Sequence, residues 1–172
     1  MLPDPLHPAV VHLPIALAVL IPGFAILGIL LIRSGVFAPQ TWAVVVLLQL
    51  LLVGSGWLAL ETGEEQEDVV ERVVAERHIE EHEEAAERFL VLAGIGLLAV
   101  AAGLLPGRAG ATGRIVGAVA ACGVLAAGIS VGHSGGELVY KHGAANAFVQ
   151  TAAMGRPAYS DDSEDSDDDD DD

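Results

Sequence analysis

The side chains with the most chemistry to offer are six histidines in a chain of 172 residues. They come in three pairs, which are His7 with His12, His78 with His82, and His133 with His142. Imidazole nitrogens ligate haem iron and divalent metals. A b-type haem needs two imidazoles opposed across the porphyrin, whereas a divalent metal needs three or four converging protein ligands. Both chemistries require that histidines far apart in the sequence meet in the fold.

Cysteine chemistry is excluded by the composition. The single cysteine, Cys122, lies in an apolar stretch, and no CxxC or CxxCH motif occurs. These absences rule out covalent c-type haem attachment and thiolate zinc sites. Whether the protein is an enzyme is left open, and an electron-transfer or binding protein is expected rather than a stand-alone enzyme.

Four stretches that could position the histidines carry no Asp, Glu, Lys or Arg. The mean hydropathy of the chain is +0.51 although its net charge is −16, so charged and apolar residues are segregated. A helix that crosses a bilayer needs about 20 apolar residues, and backbone groups cannot stay unpaired in lipid. We predict an all-α membrane bundle of four transmembrane helices, at residues 8–32, 41–60, 89–107 and 115–134.

An acidic link, residues 61–88, joins the second and third spans. At 100° per residue, one helical face collects apolar residues and two histidines, and glutamates fill the other face. The first face holds Val70, Val74, His78, His82, Ala85 and Phe89. No Gly or Pro interrupts this pattern, so we predict an amphipathic helix from Asp68 to Arg88 that continues into the third span. Residues 148–172 are predicted to form a disordered acidic tail.

Four spans place both termini, the acidic link and all six histidines on one side of the membrane. The short connections on the other side carry Arg33, Arg108 and Arg114 and no acid. Basic loops are typical of the cytoplasmic side, although the histidine side also carries Lys and Arg. We predict a multi-pass protein of the cell membrane with its termini and histidine face outside.

The histidines nearest the apolar core are the ones we expect to act, because histidine is costly in lipid and should face the bundle interior. For haem, the predicted ligands are His12, His82 and His133, with His7 as a fourth candidate. A divalent-metal site would use His12, His78, His82 and His133, since His78 and His82 are spaced i, i+4 on a helix. Outside a metal site, His78 and His142 are expected to be solvated.

The glycine pair after the fourth span has two interpretations. Gly135 and Gly136 permit a turn with positive φ, which would fold residues 138–140 over the histidines as a lid. Alternatively, the pair simply stops the helix.

Four segments, in this order, resemble the DUF2231 family of small predicted membrane proteins. They are HPAVVHLPIAL from His7, LETG from Leu60, His82-Glu83, and GHSGGELVYKHGAAN from Gly132. The resemblance extends to about Ala147. The positions that match the family motifs are His7, Pro8, His12, Pro14, His82, His133, Gly135, Gly136 and Tyr140. The family has no assigned function, but some members look fused to cytochrome c domains, which implies a redox setting and an external C-terminus.

Three functions are compatible with these observations. The leading hypothesis is a b-type haem module that passes electrons between a quinone and an external cytochrome. The alternatives are a divalent metal-binding membrane protein and a non-catalytic assembly module with structural histidines. A transporter is disfavoured because the spans hold only weakly polar groups such as Gln49 and Ser55. The expected partner is the lipid bilayer rather than nucleic acid, and the oligomeric state is open, a homo-oligomer included.

Overall fold

The structure is a computed structural model that describes residues 6–154, without the side chains of residues 150–154. It confirms the predicted all-α membrane architecture. Four helical segments are long and apolar enough to cross a bilayer, namely His7–Arg33, Pro39–Glu64, Glu76–Leu104 and Gly107–Tyr140. The predicted tail lies, from residue 155 onward, outside the described residues.

Seven α-helices make up the described part of the chain. They are α1 (His7–Val10), α2 (His12–Arg33), α3 (Ala43–Glu64), α4 (Glu67–Val70), α5 (Glu76–Ala101), α6 (Gly107–Tyr140) and α7 (Ala145–Met154). Short 3-10 turns precede α3 and follow α5. The break between α1 and α2 has a simple cause, since Pro14 has no N–H to donate to the carbonyl of Val10 and its ring crowds that carbonyl.

The four long helices form an antiparallel bundle in which α2 and α5 each pack against both α3 and α6. Helices α5 and α6 share the largest interface. Glycine makes this close approach possible, because a Cβ on Gly113 would lie 2.5 Å from the Ala102 carbonyl group and one on Gly117 would lie 2.9 Å from Val100 Cα. Small residues at such contacts let helices pack tightly in membranes.

Two polar side chains are buried in the apolar core and bind backbone carbonyls of the third span. The Trp42 indole N–H donates to the Val100 carbonyl at 2.8 Å. The Gln49 side-chain amide donates to the Ala93 carbonyl at 3.0 Å. Because an unpaired polar group in an apolar interior is costly, these bonds fix the rotation of α3 against α5.

The fourth helix is longer than the sequence predicts. It begins at Gly107 rather than at residue 115, so the predicted loop at residues 107–114 is helical. It continues through Gly135 and Gly136 to Tyr140, so both interpretations of this glycine pair, as a turn and as a helix stop, are wrong. The chain reverses instead at Gly143, whose φ of +73° is a left-handed conformation that favours glycine.

The acidic link is helical in two pieces, and the prediction of a continuous helix from Asp68 is wrong. Residues 71–75 separate α4 from α5, and Ala75 is extended, with φ −69° and ψ 131°. The extension of the third span is confirmed from Glu76 onward. The break allows Val74, which is 5% exposed, to pack with Leu138 and Ala144 in a second apolar cluster.

This second cluster folds the link and the C-terminal residues across the histidine end of the bundle. Helix α7 packs on α4, and the predicted domain boundary at residue 147 falls inside α7. Burial, followed by the repulsion of the Glu83 and Glu71 carboxylates, raises the pKa of Glu67.

Cysteine labelling tests the sidedness that these helices imply. In a Cys122→Ala background, a cysteine at Gln66 should react with a membrane-impermeant maleimide on intact cells. Cysteines at Ser34 and Ala109 should react only after permeabilisation, because an odd number of spans separates them from Gln66. Equal labelling of Ser34 and Gln66 would contradict the four-span topology, and the reverse pattern would contradict the external orientation.

Candidate functional site

Two histidines from different helices meet at the end of the bundle. The rings of His7 in α1 and His82 in α5 lie edge to face, with centroids 6.5 Å apart and an interplanar angle of 87°. Both residues are half-buried. His82 precedes Phe89, the first buried residue of α5, by two helical turns, and His7 precedes the buried Pro14 by the same interval. Each imidazole therefore continues the inward face of its span.

His7 is held by the end of α3. Its Nδ1–H donates to the carbonyl oxygen of Ala59 at 2.8 Å. The Thr62 hydroxyl donates to the same carbonyl at 3.1 Å. Because a carbonyl can only accept, the proton of the neutral His7 ring belongs on Nδ1, and Nε2 keeps its lone pair. The ring also lies against Gly63, where a Cβ would be 3.3 Å from His7 Cε1.

His82 is held by α6 in the same way. Its Nδ1 lies 2.8 Å from the Ser134 hydroxyl oxygen, and that hydroxyl donates to the Val131 carbonyl at 3.0 Å. The single hydroxyl proton of Ser134 is thus used, so the serine accepts from His82 Nδ1–H. The neutral His82 ring therefore also keeps its lone pair on Nε2.

The glycine pair in α6 has an asymmetric role. A Cβ on Gly135 would lie 3.0 Å from His82 Cε1, whereas a Cβ on Gly136 would have nothing within 4 Å. Only the first glycine is required for the imidazole to lie against the helix. Gly135 therefore makes room for His82, and neither glycine forms a turn in the backbone.

Two of the predicted ligands lie elsewhere. His12 is exposed on α2. The His133 side chain is 77% exposed, and its Nε2 lies 3.3 Å from a carboxylate oxygen of Glu137 on the same helix. The structure brings neither residue into contact with the His7–His82 pair. Both residues are rotated away from the inward faces of their helices.

His78 and His142 form a second pair, one helical turn further out. Their rings are stacked, with centroids 3.9 Å apart and an interplanar angle of 20°. Both are half-buried, so the expectation that they are solvated is wrong. An Arg77 N–H donates to His78 Nε2 at 3.2 Å, which places the His78 proton on Nδ1, 3.5 Å from Glu81. Packing of the residues after α6 against α5 brings this pair together.

The arrangement offers two ligands rather than three. Among residues 6–154, no three His, Cys, Asp or Glu side chains converge in a way that could hold a metal ion. The set predicted for a metal, His12, His78, His82 and His133, is accordingly dispersed over the bundle end. Of the set predicted for haem, the structure joins His7 and His82.

Ser134 is the functional residue that the sequence analysis missed. Residues 132–136 fit the GxSxG spacing of hydrolase nucleophiles, and Ser134 lies within hydrogen-bond distance of a histidine. The pattern lies inside a continuous helix, however, and not on the strand-to-helix turn that exposes such a nucleophile. The serine proton is donated to Val131, so the contact orients His82 and does not activate the serine.

A serine variant tests this orientation. Ser134→Ala removes the acceptor of His82 Nδ1–H, and we expect the His82 ring to lose its Nδ1–H tautomer, at a cost of about 0.5–1.5 kcal/mol in stability. Histidine 15N chemical shifts report the tautomer directly. Ser130→Ala, an exposed position on the same helix, is the matched control. An unchanged His82 tautomer in Ser134→Ala would show that the serine does not fix the ring.

Comparison with known proteins supports the membrane assignment. A family model described as a predicted membrane protein (DUF2231) matches residues 3–147. That range contains His7 and His82, together with Ser134 and the two glycines that lie against the rings, Gly63 and Gly135. No curated protein and no solved structure matches the chain.

Proposed function

The chain is an integral membrane protein of the DUF2231 family, and we propose that it binds a b-type haem through His7 and His82 and transfers electrons. The observation that carries this proposal is the number of converging ligands. A divalent metal needs three or four protein ligands, whereas the iron of a haem takes four nitrogens from the porphyrin and needs only two from the protein. Two imidazoles from different helices match the second requirement.

One distance in the pair bears on iron binding. Metal–imidazole bonds are about 2.0–2.1 Å long, so two opposed ligating nitrogens lie about 4 Å apart, with the ring centres further out. A centroid separation of 6.5 Å is compatible with that arrangement. The rings also lie against Gly63 and Gly135, so no side chain of these two residues occupies the space beside them.

The hydrogen bonds of the two rings support the same assignment. Histidines that ligate a metal usually donate their other ring N–H to a carbonyl or hydroxyl partner, which fixes the tautomer and increases the basicity of the ligating nitrogen. His7 donates to Ala59 and His82 donates to Ser134, and both keep Nε2 for the ligand. In this arrangement both rings would offer Nε2 to the iron.

In this proposal the residues of the chain bind and orient, and the haem would supply one-electron chemistry. His7 and His82 would hold the haem, and Thr62 would hold the Ala59 carbonyl. With His7 and His82 both bound to the iron, no position would be left on it for a substrate. Electron transfer therefore fits the site better than catalysis at the iron.

The redox partners and the orientation are part of the proposal. A quinone in the bilayer would exchange electrons with the site from the membrane side, and a cytochrome would do so from outside. This direction is supported by the position of the pair at the bundle end and by the cytochrome c domains to which some family members look fused. The external placement of this end rests on the acid-free, basic loops at the other end.

Purified protein from cells supplied with haem tests the proposal. We expect one haem per chain and the absorption of a low-spin bis-histidine haem in the oxidised and reduced states. Colourless protein that carries zinc or copper would favour the divalent-metal alternative. Protein that carries neither would leave the histidines with a structural role in an assembly module.

A further inference from the structure

The hydroxyl of Thr62 lies beside the hydrogen bond that holds His7. Thr62 is 4% exposed. Its single hydroxyl proton is directed at two carbonyl oxygens, that of Leu58 at 3.0 Å and that of Ala59 at 3.1 Å. The Ala59 carbonyl is also the acceptor of His7 Nδ1–H, at 2.8 Å. Thr62 in α3 and His7 in α1 therefore share one acceptor.

The Ala59 carbonyl oxygen has more donors than lone pairs. In an α-helix each carbonyl accepts the N–H of the residue four positions later, which for Ala59 is Gly63 of the same helix. His7 and Thr62 are the second and third donors, whereas a carbonyl oxygen has two lone pairs. Because the negative charge of one oxygen is divided among its donors, each donor weakens the bonds of the others. The Thr62 hydroxyl therefore competes with His7.

The other ring of the pair has no such competitor at its acceptor. His82 Nδ1–H donates to the Ser134 hydroxyl oxygen, and the Ser134 proton is donated onward to the Val131 carbonyl. In a chain of this kind each hydrogen bond polarises the next one and strengthens it. The two rings have acceptors at the same distance of 2.8 Å, but the acceptor of His7 is shared and that of His82 is reinforced.

We propose that Thr62 is a positioning residue that sets the strength of the His7 hydrogen bond and, through it, the electron density at His7 Nε2. A ring whose N–H is held by a stronger acceptor is more basic at its other nitrogen. By occupying part of the Ala59 carbonyl, Thr62 makes His7 a weaker ligand than it would be alone. The effect on the hydrogen bond holds with or without haem, whereas its effect on a haem rests on the proposed function.

This role explains part of the LETG segment at residues 60–63. Gly63 leaves room for the ring, since a Cβ there would lie 3.3 Å from His7 Cε1. Thr62 acts on the acceptor of the same ring. Two of the four residues of the segment thus act on His7.

Ser55 shows what a buried hydroxyl of α3 does without a histidine at its acceptor. Serine and threonine in helices commonly donate to the carbonyl three or four residues earlier. Ser55 is 9% exposed and donates in this way to the Leu52 carbonyl at 3.2 Å. Because Leu52 is not the residue to which His7 donates, Ser55→Ala removes a comparable hydrogen bond from the same helix. It is the matched control for Thr62.

The hydrogen bond is tested in the full-length, haem-free protein in detergent micelles by histidine-selective 15N NMR. Thr62→Val replaces the hydroxyl with a methyl group of similar shape and releases the Ala59 carbonyl to His7. We expect the His7 Nδ1 resonance to move downfield, as it does when the N–H donates more strongly, and Thr62→Ser to restore it. Thr62→Ala also removes the hydroxyl and decides the matter if Thr62→Val does not fold. An unmoved resonance, or an equal shift in Ser55→Ala, overturns the inference.

The haem-loaded variants test the effect on the ligand. A more basic His7 favours ferric iron, so the reduction potential of Thr62→Val should be more negative than that of the wild type, and Ser55→Ala should leave it unchanged. Affinity for ferric haem should rise about tenfold or less, since partners of ligating histidines change metal affinity by about 10- to 100-fold. An unchanged potential despite the 15N shift overturns the effect on the ligand. A 15N shift in a protein that binds no haem supports the role of Thr62 in the hydrogen bond and contradicts the proposed function alone.

Discussion

Replacement of His7 or His82 by alanine should abolish the bis-histidine spectrum of the haem-loaded protein. Under the proposed function each residue would supply one of the two protein nitrogens that hold the haem, and each has its Nδ1 bound to a neighbouring helix. His78 and His142 are stacked on each other, so neither is placed to replace a missing ligand. Visible absorption of the purified variants, normalised to protein, measures the loss, which should be complete for the six-coordinate form.

His12→Ala and His133→Ala are the matched controls for this experiment. Both residues lie at the same bundle end but are exposed, so both variants should keep the wild-type spectrum. Loss of the spectrum in either control, together with its retention in His7→Ala, would contradict the His7–His82 assignment. The ligands would then be among the histidines predicted from the sequence, His12, His82 and His133.

The second large effect is expected for Gly135→Ala. The added methyl would lie 3.0 Å from His82 Cε1, closer than such atoms normally approach, so the imidazole must move away from α6. Overpacking of this kind costs about 1–3 kcal/mol, and a cost of that size corresponds to a fall in haem affinity of roughly 5- to 150-fold. Haem titration of the haem-free protein measures the change.

Gly136→Ala serves as the control for Gly135→Ala. A Cβ at this position meets nothing within 4 Å. Both substitutions replace a helical glycine with alanine, which favours the helix by about 1 kcal/mol, so the difference between them isolates the contact with His82. Equal haem affinities in the two variants would argue against a requirement for space beside the imidazole.

The four spans could be predicted from the sequence because lipid imposes a simple condition on it. Long runs without charge must be helical and must cross the bilayer. Three of the four predicted runs lie within the observed helical segments, and the third, predicted at residues 89–107, ends at Leu104. The ends were harder to predict. The eight polar and small residues that open α6, residues 107–114, carry two arginines, yet they form a helix because Gly110 and Gly113 allow close contact with the residues that follow α5.

The histidine pair was only partly predicted, because helical phase was considered for the acidic link, whereas His7, His12 and His133 were judged by their depth alone. The buried residues of α2 include Pro14, Leu17 and Ile21, which lie on one face of the helix. Continued toward the N-terminus at the same spacing, this face includes His7 and does not include His12. In α6, the buried Val124 and Leu138 define an inward face that passes through Ser134 and Gly135 and leaves His133 outside. Phase, read from the apolar positions, would have selected His7.

Other features of the site had no sequence signal. The acceptor for His7 is a backbone carbonyl, that of Ala59, and any residue type offers one. The stacking of His78 on His142 depends on the reversal at Gly143 and on the break at residues 71–75, neither of which follows from helical periodicity. Tertiary packing of the second apolar cluster decides both.

The central claim, that His7 and His82 together hold a haem, is tested most directly by one measurement. The wild-type protein, produced with haem supplied and purified in detergent, is examined by visible absorption in the oxidised and dithionite-reduced states. The proposed function predicts a b-type spectrum of a low-spin, six-coordinate haem at one haem per chain. Protein that remains colourless after haem is supplied, or that binds haem with an unchanged spectrum in the His7→Ala, His82→Ala double variant, would contradict it.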